Sequence, residues 1–245
     1  MTDSLVLVSA HPEYAVTQFR FSQTKHPQAN WIVNLRLDLF AGRGLTVLAH
    51  PMSLLFFKRV LANPIRVGYI VPSSRFLTRK TAKRIDFSKP RVVIELGPGE
   101  GCHTRQIVRR MNPESRLILI ELDDHFAAHL TKQFAHDPRV TVLHTDALHL
   151  ATTLESMGVS NPDYIVSGIP FTIMDRDLRE KLLANISLAM GPESVFITYQ
   201  FSLKISEHEL FELARRDLCL LNLPPLTVME LRKSAAAMKS RELDG

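Results

Sequence analysis

The stretch VVIELGPGEGCHTRQIV, residues 92–108, decides the fold. Its first five residues are apolar apart from Glu95, the pattern of a strand buried on both faces of a parallel sheet. Gly97, Gly99 and Gly101 then break the run, and a helical pattern resumes at Cys102. Glycine has no Cβ, so the chain can turn sharply there and leave its backbone open to a ligand. In an open α/β sheet such a corner, at the carboxyl end of a strand, is where ligands bind. A nicotinamide site wants G-x-G-x-x-G. Counted from Gly97, its last glycine falls where Cys102 stands, which disfavours a dehydrogenase.

Working outward, the same rhythm repeats. RVVIEL (91–96) leads into a helix over about 102–111, and RLILIEL (116–122) into a helix that Asp123 or Asp124 caps and that runs to about 134. RVTVLHTD (139–146) is a third strand. DYIVSGIP (163–170) is a fourth, followed by a helix over 177–190 that stops at Gly191-Pro192. SVFITYQ (194–200) is a fifth, with a further helix predicted over 206–215. LCLLNL and LTVMEL read as the last two strands, parted by Pro224-Pro225. Strands and helices alternating at this spacing predict an α/β fold. Its sheet is open, mostly parallel and seven-stranded, with helices on both faces.

The region before it differs. NWIVNLRLDLF (30–40) places Trp31, Ile32, Leu35, Leu39 and Phe40 at helical spacing, and MSLLFFKRVLAN (52–63) wheels to a broad apolar arc with Lys58 and Arg59 opposite. Pro72-Ser73-Ser74 starts a helix with Arg75, Arg79 and Lys83 on one face. The division predicted is a helical extension over 1–88 and a ligand-binding domain over 89–245. The extension's helices either cover one edge of the sheet or rest on an anionic membrane as a substrate cover.

Composition bounds the partners. The 245 residues are 45% hydrophobic and 22% charged, which excludes wholesale disorder. A formal charge of +5 suits an acidic partner, lipid headgroups or nucleic acid, without choosing between them. Cys102 and Cys219 lie far apart with no metal-type spacing, so they read as free thiols in a reducing compartment and no metal is expected. The opening MTDSLVLVSAHPEY lacks the basic start of a signal peptide, and no run reaches the ~20 apolar residues of a membrane span. The expected location is cytoplasmic, with peripheral contact to the inner face of a membrane.

ELGPGEG (95–101) resembles the first motif of the Rossmann-like class I methyltransferases that use S-adenosylmethionine. The resemblance implies that Glu95 lies near the methionine moiety, where a carboxylate pairs with the ammonium group. Glu121 ends the second strand about twenty residues after the glycines, placed to accept from the ribose hydroxyls. Asp146, in Thr145-Asp146-Ala147 after the third strand, is implied to accept from the adenine amino group. The cofactor set implied is Glu95, Gly97, Pro98, Gly99, Gly101, Glu121, Leu122, Asp146, Ala147 and Ser167.

SGIPF (167–171) resembles the N-[LI]-P-[YF] motif of the related ribosomal RNA and DNA adenine-N6 methyltransferases, whose Asn accepts from the target amine while the aromatic stacks on the flipped base. Here Gly168 replaces that Asn, which disfavours a nucleobase and a nucleic-acid partner and suits a bulkier alkyl amine. RVGYIVPSS (66–74), SGIP and NLPPLTV (222–228) together resemble the bacterial phospholipid N-methyltransferases that convert phosphatidylethanolamine towards phosphatidylcholine. That resemblance spans about residues 55–232 and departs at Tyr69, at Tyr199-Gln200-Phe201 and at Leu226. For an amine acceptor the expected contributors are Ser167, the carbonyls around Gly168 and Ile169, and the phenols of Tyr69 and Tyr199. A soluble-amine methyltransferase stays open as a further reading. His103 and His144 carry no motif and read as structural.

Overall fold

The computed structural model describes residues 73–171, 174–200, 202–222 and 225–238, together with the backbone of four earlier strands. It divides into two units, Met1–Ala62 and Asn63–Gly245. In the first unit β1 (Leu5–Val6), β2 (Ala15–Gln23), β3 (Trp31–Asp38) and β4 (Leu45–Leu48) form an antiparallel sheet in that order. The helix predicted over 30–40 is therefore a strand. Its residues also alternate apolar and polar from Val33 to Asp38, a period of two that competes with the helical spacing. The helix expected over 52–63 and the segment holding Tyr69 lie outside the described residues.

The second unit opens with α1 (Arg75–Ala82), whose Ser74 cap accepts from the Leu77 N–H at 3.2 Å. The predicted strand–helix rhythm follows as β5 (Val92–Leu96), α2 (Cys102–Val108), β6 (Arg116–Glu121), α3 (Asp124–Gln133), β7 (Val140–His144), α4 (Leu150–Ser156), β8 (Tyr164–Ser167), α5 (Arg176–Ala189) and β9 (Val195–Gln200). Asp123 caps α3, accepting from the His125 and Phe126 N–H groups. The helix predicted over 206–215 is a correction. A short 3-10 turn, Lys204–Glu207, leads directly into β10 (Phe211–Cys219), which pairs antiparallel with β11 (Leu226–Lys233). The Glu, Leu, Ala and Arg of that segment favour a helix locally, but the ladder to β11 supplies the hydrogen bonds that decide. Residues 218–222 of LCLLNL are accordingly the end of β10 and the turn that follows it, and Leu223 lies outside the described residues.

The seven strands lie in the order β10-β11-β9-β8-β5-β6-β7. β5, β6, β7, β8 and β9 are mutually parallel, and β11 runs against β9 and β10. The chain leaves β5 towards β6 and β7, then returns to β8 on the other side. The switch point therefore falls between β5 and β8.

Strand parity divides the core. Ile94, Leu96, Ile118, Ile120 and Ile165 pack on one face of the sheet with α5 residues Leu182, Leu183 and Ile186. Val93, Leu117, Leu119, Val166 and Ile197 pack on the other with Leu77 of α1 and Ile107 of α2. Glu95 and Glu121 share the parity of this second set, as does Tyr199. The sheet thus aims three polar groups at one face, where the glycine corner lies.

Candidate active site

Gly97, Gly99 and Gly101 all have positive φ, at +65, +56 and +74°. That region costs an L side chain roughly 1–2 kcal/mol. A Cβ at Gly101 would stand 2.9 Å from Leu130 of α3, so this glycine lets helix and turn approach. A Cβ at Gly99 would meet nothing within 4 Å, so the turn borders open space there. Close helix packing and an open-sided turn thus fall to different glycines.

Glu95 is buried, and its carboxylate accepts from the Thr104 hydroxyl at 2.8 Å in the first turn of α2. Burial raises its pKa to about 7, with the nearby Glu121 carboxylate adding to the effect. Glu121 accepts the Gly99 and Asp123 N–H groups, each at 2.9 Å, one on each carboxylate oxygen. Burial raises its pKa as well. One lone pair on each oxygen stays available for a diol. Asp146 caps the 3-10 turn Ala147–His149, accepting from the Leu148 N–H at 2.9 Å through Oδ1. Leu122 is exposed at the edge of β6, and its carbonyl meets His144 Nε2 at 3.1 Å.

These groups fit an adenosyl-methionine cofactor. Two buried carboxylates stand at successive strand ends, a third follows the next strand, and an open-sided glycine turn lies between them. Glu95 is a carboxylate held where burial disfavours its charge, which suits an ammonium partner. This geometry predicts a pH signature. The native carboxyl keeps its proton up to about 7, whereas the unfolded one loses it near 4.5. The cofactor-free protein is therefore expected to lose stability as pH rises through that window, by roughly 3 kcal/mol on full ionisation. Cofactor affinity should rise over the same window. Glu95→Gln should flatten both curves, read by denaturant titration and calorimetry across pH.

On the far side of the switch point, Ser167 is fully buried, and its Oγ accepts from the Ile169 N–H at 3.2 Å. The Ile169 carbonyl already accepts from Gln200 Nε2 at 2.8 Å. Both residues build the turn that presents Gly168. The space beside Gly168 is not empty: a Cβ there would collide with the Tyr199 hydroxyl and stand 3.2 Å from its Cζ and 3.3 Å from the Gly97 carbonyl. The space that a missing side chain at 168 leaves is thus taken up by a phenol. Tyr199 is buried, hydrogen-bonds His103 Nδ1 at 3.1 Å and stacks on that ring with centroids 4.2 Å apart. Burial drives His103 down to about 3 and the Tyr199 phenol well above its ordinary value, so the pair is uncharged. His103 Nε2 has no hydrogen-bond partner among the described residues.

Phe171 is buried in the core, edge-on to Phe196 with centroids 6.1 Å apart. It is placed to pack and not to stack on a base. The sequence reading missed Thr104 and the His103–Tyr199 pair. Thr104 had a signal, since a hydroxyl in the first turn of the helix after a strand-end carboxylate is within its reach. The pair had none. Cys102 and Cys219 are both free. Tyr69, expected at the acceptor site, lies outside the described residues.

A parallel sheet with one inserted antiparallel strand, a glycine corner and carboxylates at the ends of successive strands define a Rossmann-like class I methyltransferase, an enzyme that uses S-adenosylmethionine. The model of the ribosomal RNA adenine dimethylase family matches residues 73–211, and the chain belongs to that family. Among curated relatives it is 31% identical over 142 residues to an ornithine lipid N-methyltransferase of Singulisphaera acidiphila, covering 58% of this chain and 74% of that one. It is 30% identical over 127 residues to the ribosomal RNA small subunit methyltransferase A of Dehalococcoides mccartyi, covering 52% of this chain but only 41% of that protein. In fold it resembles the Burkholderia thailandensis 1,6-didemethyltoxoflavin-N1-methyltransferase, solved with S-adenosylhomocysteine. The TM-score is 0.55 at 14% identity, covering 86% of this chain and 98% of that one.

Proposed function

We propose that this enzyme methylates the primary amine of a lipid headgroup, with phosphatidylethanolamine and ornithine-type amino-lipids as the acceptors to test. The observation that carries the reading is the rebuilt acceptor side of the cleft. Residue 168 has no side chain to read a planar amino group, the Tyr199 hydroxyl occupies that space, and Phe171 is buried in the core. A flipped base would therefore lack both its amide acceptor and its stacking face. The likeness to an amino-lipid N-methyltransferase, over most of that relative's length, supports the same reading.

The bound cofactor supplies an electrophilic methyl group on a sulfonium. Glu95, the turn at Gly97 and Gly99, Glu121 and Asp146 would hold it. The chain's own contribution is orientation and dryness. An in-line displacement needs the amine lone pair aligned with the carbon–sulfur bond, and alignment alone is worth several kcal/mol. The uncharged His103–Tyr199 pair contributes a hydroxyl that hydrogen-bonds an amine without adding charge. The amine must arrive unprotonated, and a cleft walled by Tyr199 and Ile169 favours the neutral form through desolvation.

The test is incubation with S-adenosylmethionine and a panel of ethanolamine lipid, ornithine lipid, their free headgroups and ribosomal RNA, read by mass spectrometry with fragmentation. Methyl groups are expected on headgroup nitrogen. Methylation of the free headgroups as fast as the lipids would point to a soluble-amine enzyme.

A further inference from the structure

The edge of the sheet that bears the site also carries an apolar patch that the site does not use. β10 is antiparallel to β11, which is antiparallel to β9, so β10 and β9 point the same way. The turn after Cys219 therefore emerges on the edge where β5 and β8 end. There Leu218, Leu220 and Leu221 are 48, 55 and 65% exposed, and Phe76 in the first turn of α1 is 41% exposed. Helix and turn are tied together. The Ser74 N–H donates to Asn222 Oδ1 at 2.8 Å, and Lys80 Nζ donates to the Leu218 carbonyl at 2.9 Å. α1 carries Arg75, Arg79 and Lys80 and no acidic residue, with the Arg75 guanidinium 5.1 Å from the centre of the Phe76 ring. Leu77 of the same helix packs in one cluster with Tyr199, so the helix that bears Phe76 borders the acceptor side of the cleft.

We propose that residues 218–222 at the end of β10 and the start of α1 dock on an anionic lipid surface, with the leucines and Phe76 entering the interface and Arg75, Arg79 and Lys80 meeting the phosphates. Exposed apolar side chains beside the cations of α1 complement a surface that is apolar inside and negative outside, and Asp217 next to Leu218 is held in an ion pair with Arg84. A second copy of the chain would bring a second set of cations against the first. The inference rests on the amino-lipid reading and adds to it: a lipid held by its tails in a bilayer reaches the cleft only if that edge faces the membrane.

The experiment is sedimentation of the full chain with phosphatidylcholine vesicles, with and without an equal part of phosphatidylglycerol. The wild type is expected to partition to the anionic vesicles and to release as salt rises. Leu220→Asp with Leu221→Asp should lower partitioning at least tenfold on the order of two apolar side chains lost from the interface. Arg79→Ala should lower it about fivefold on anionic vesicles only, the factor for one surface cation. Methyl transfer to detergent-dispersed lipid should be unchanged in the leucine variant. If that variant folds poorly, Leu220→Ser with Leu221→Ser makes the same comparison. Undiminished sedimentation of the leucine variants would overturn the proposal, as would their conversion of a dimer to a monomer with lipid binding intact. Vesicle binding that follows these residues, in an enzyme that methylates no lipid, would uphold the docking surface and defeat the amino-lipid reading instead.

Discussion

Gly99→Asp is expected to abolish binding of S-adenosylmethionine and of S-adenosylhomocysteine while the protein still folds. The backbone at 99 is left-handed, with φ +56°, and aspartate tolerates that region better than most residues. Nothing lies within 4 Å of where its Cβ would stand, so the side chain meets no packing clash. The strain is on the order of 1 kcal/mol, small against the stability of a domain of this size. The harm is to the ligand. The new carboxylate extends into the opening of the glycine turn, beside the Glu95 and Glu121 carboxylates, and adds a like charge where the cofactor's own carboxylate must be accommodated. Calorimetry should show no binding with a near-normal melting curve. Wild-type affinity would remove Gly99 from the cofactor site. Gly101→Ala should behave in the opposite way, costing stability first, because its Cβ would press on Leu130.

The second large effect is a rescue. Gly168→Ala places a methyl group on the Tyr199 hydroxyl, and overpacking of this kind costs about 1–3 kcal/mol. Activity should fall further, by about a hundredfold, because the displaced phenol is the group proposed to orient the amine. Tyr199→Phe removes the oxygen that collides and leaves Cζ 3.2 Å from the new methyl, a gap that a small ring shift opens. In the Tyr199→Phe background, Gly168→Ala should therefore cost little further stability. The two substitutions should be strongly non-additive in a double-mutant cycle. Additive losses would mean that the hydroxyl does not fill the space at residue 168.

Most of the sheet, and the placing of Glu95, Glu121 and Asp146 at the ends of successive strands, were legible because they depend on local pattern. Buried parallel strands are continuous apolar runs, and glycine, glutamate and aspartate at their ends sit where strand parity and the switch point need them. The segment over 206–215 was not legible, since its residues favour a helix and only the ladder to β11 makes it β10. β3 was misread because its run satisfies two periods at once. The acceptor side was half legible. Gly168 announced a missing side chain, but the phenol that takes its place comes from β9 and is held by a histidine of α2, a contact across 96 residues. No spacing encodes that pairing. Phe171 matched a base-stacking motif in sequence, yet packing against Phe196 turns it inward.

The central claim is that the methyl group goes to a lipid amine. Its most direct measurement is transfer of label from methyl-labelled S-adenosylmethionine, with the purified enzyme given membrane lipid and ribosomal RNA together and the product divided between chloroform extract and aqueous nucleic acid. The account predicts label in the chloroform phase, carried on headgroup nitrogen and lost in Gly99→Asp. Label in adenine of the RNA, with none in lipid, would contradict it.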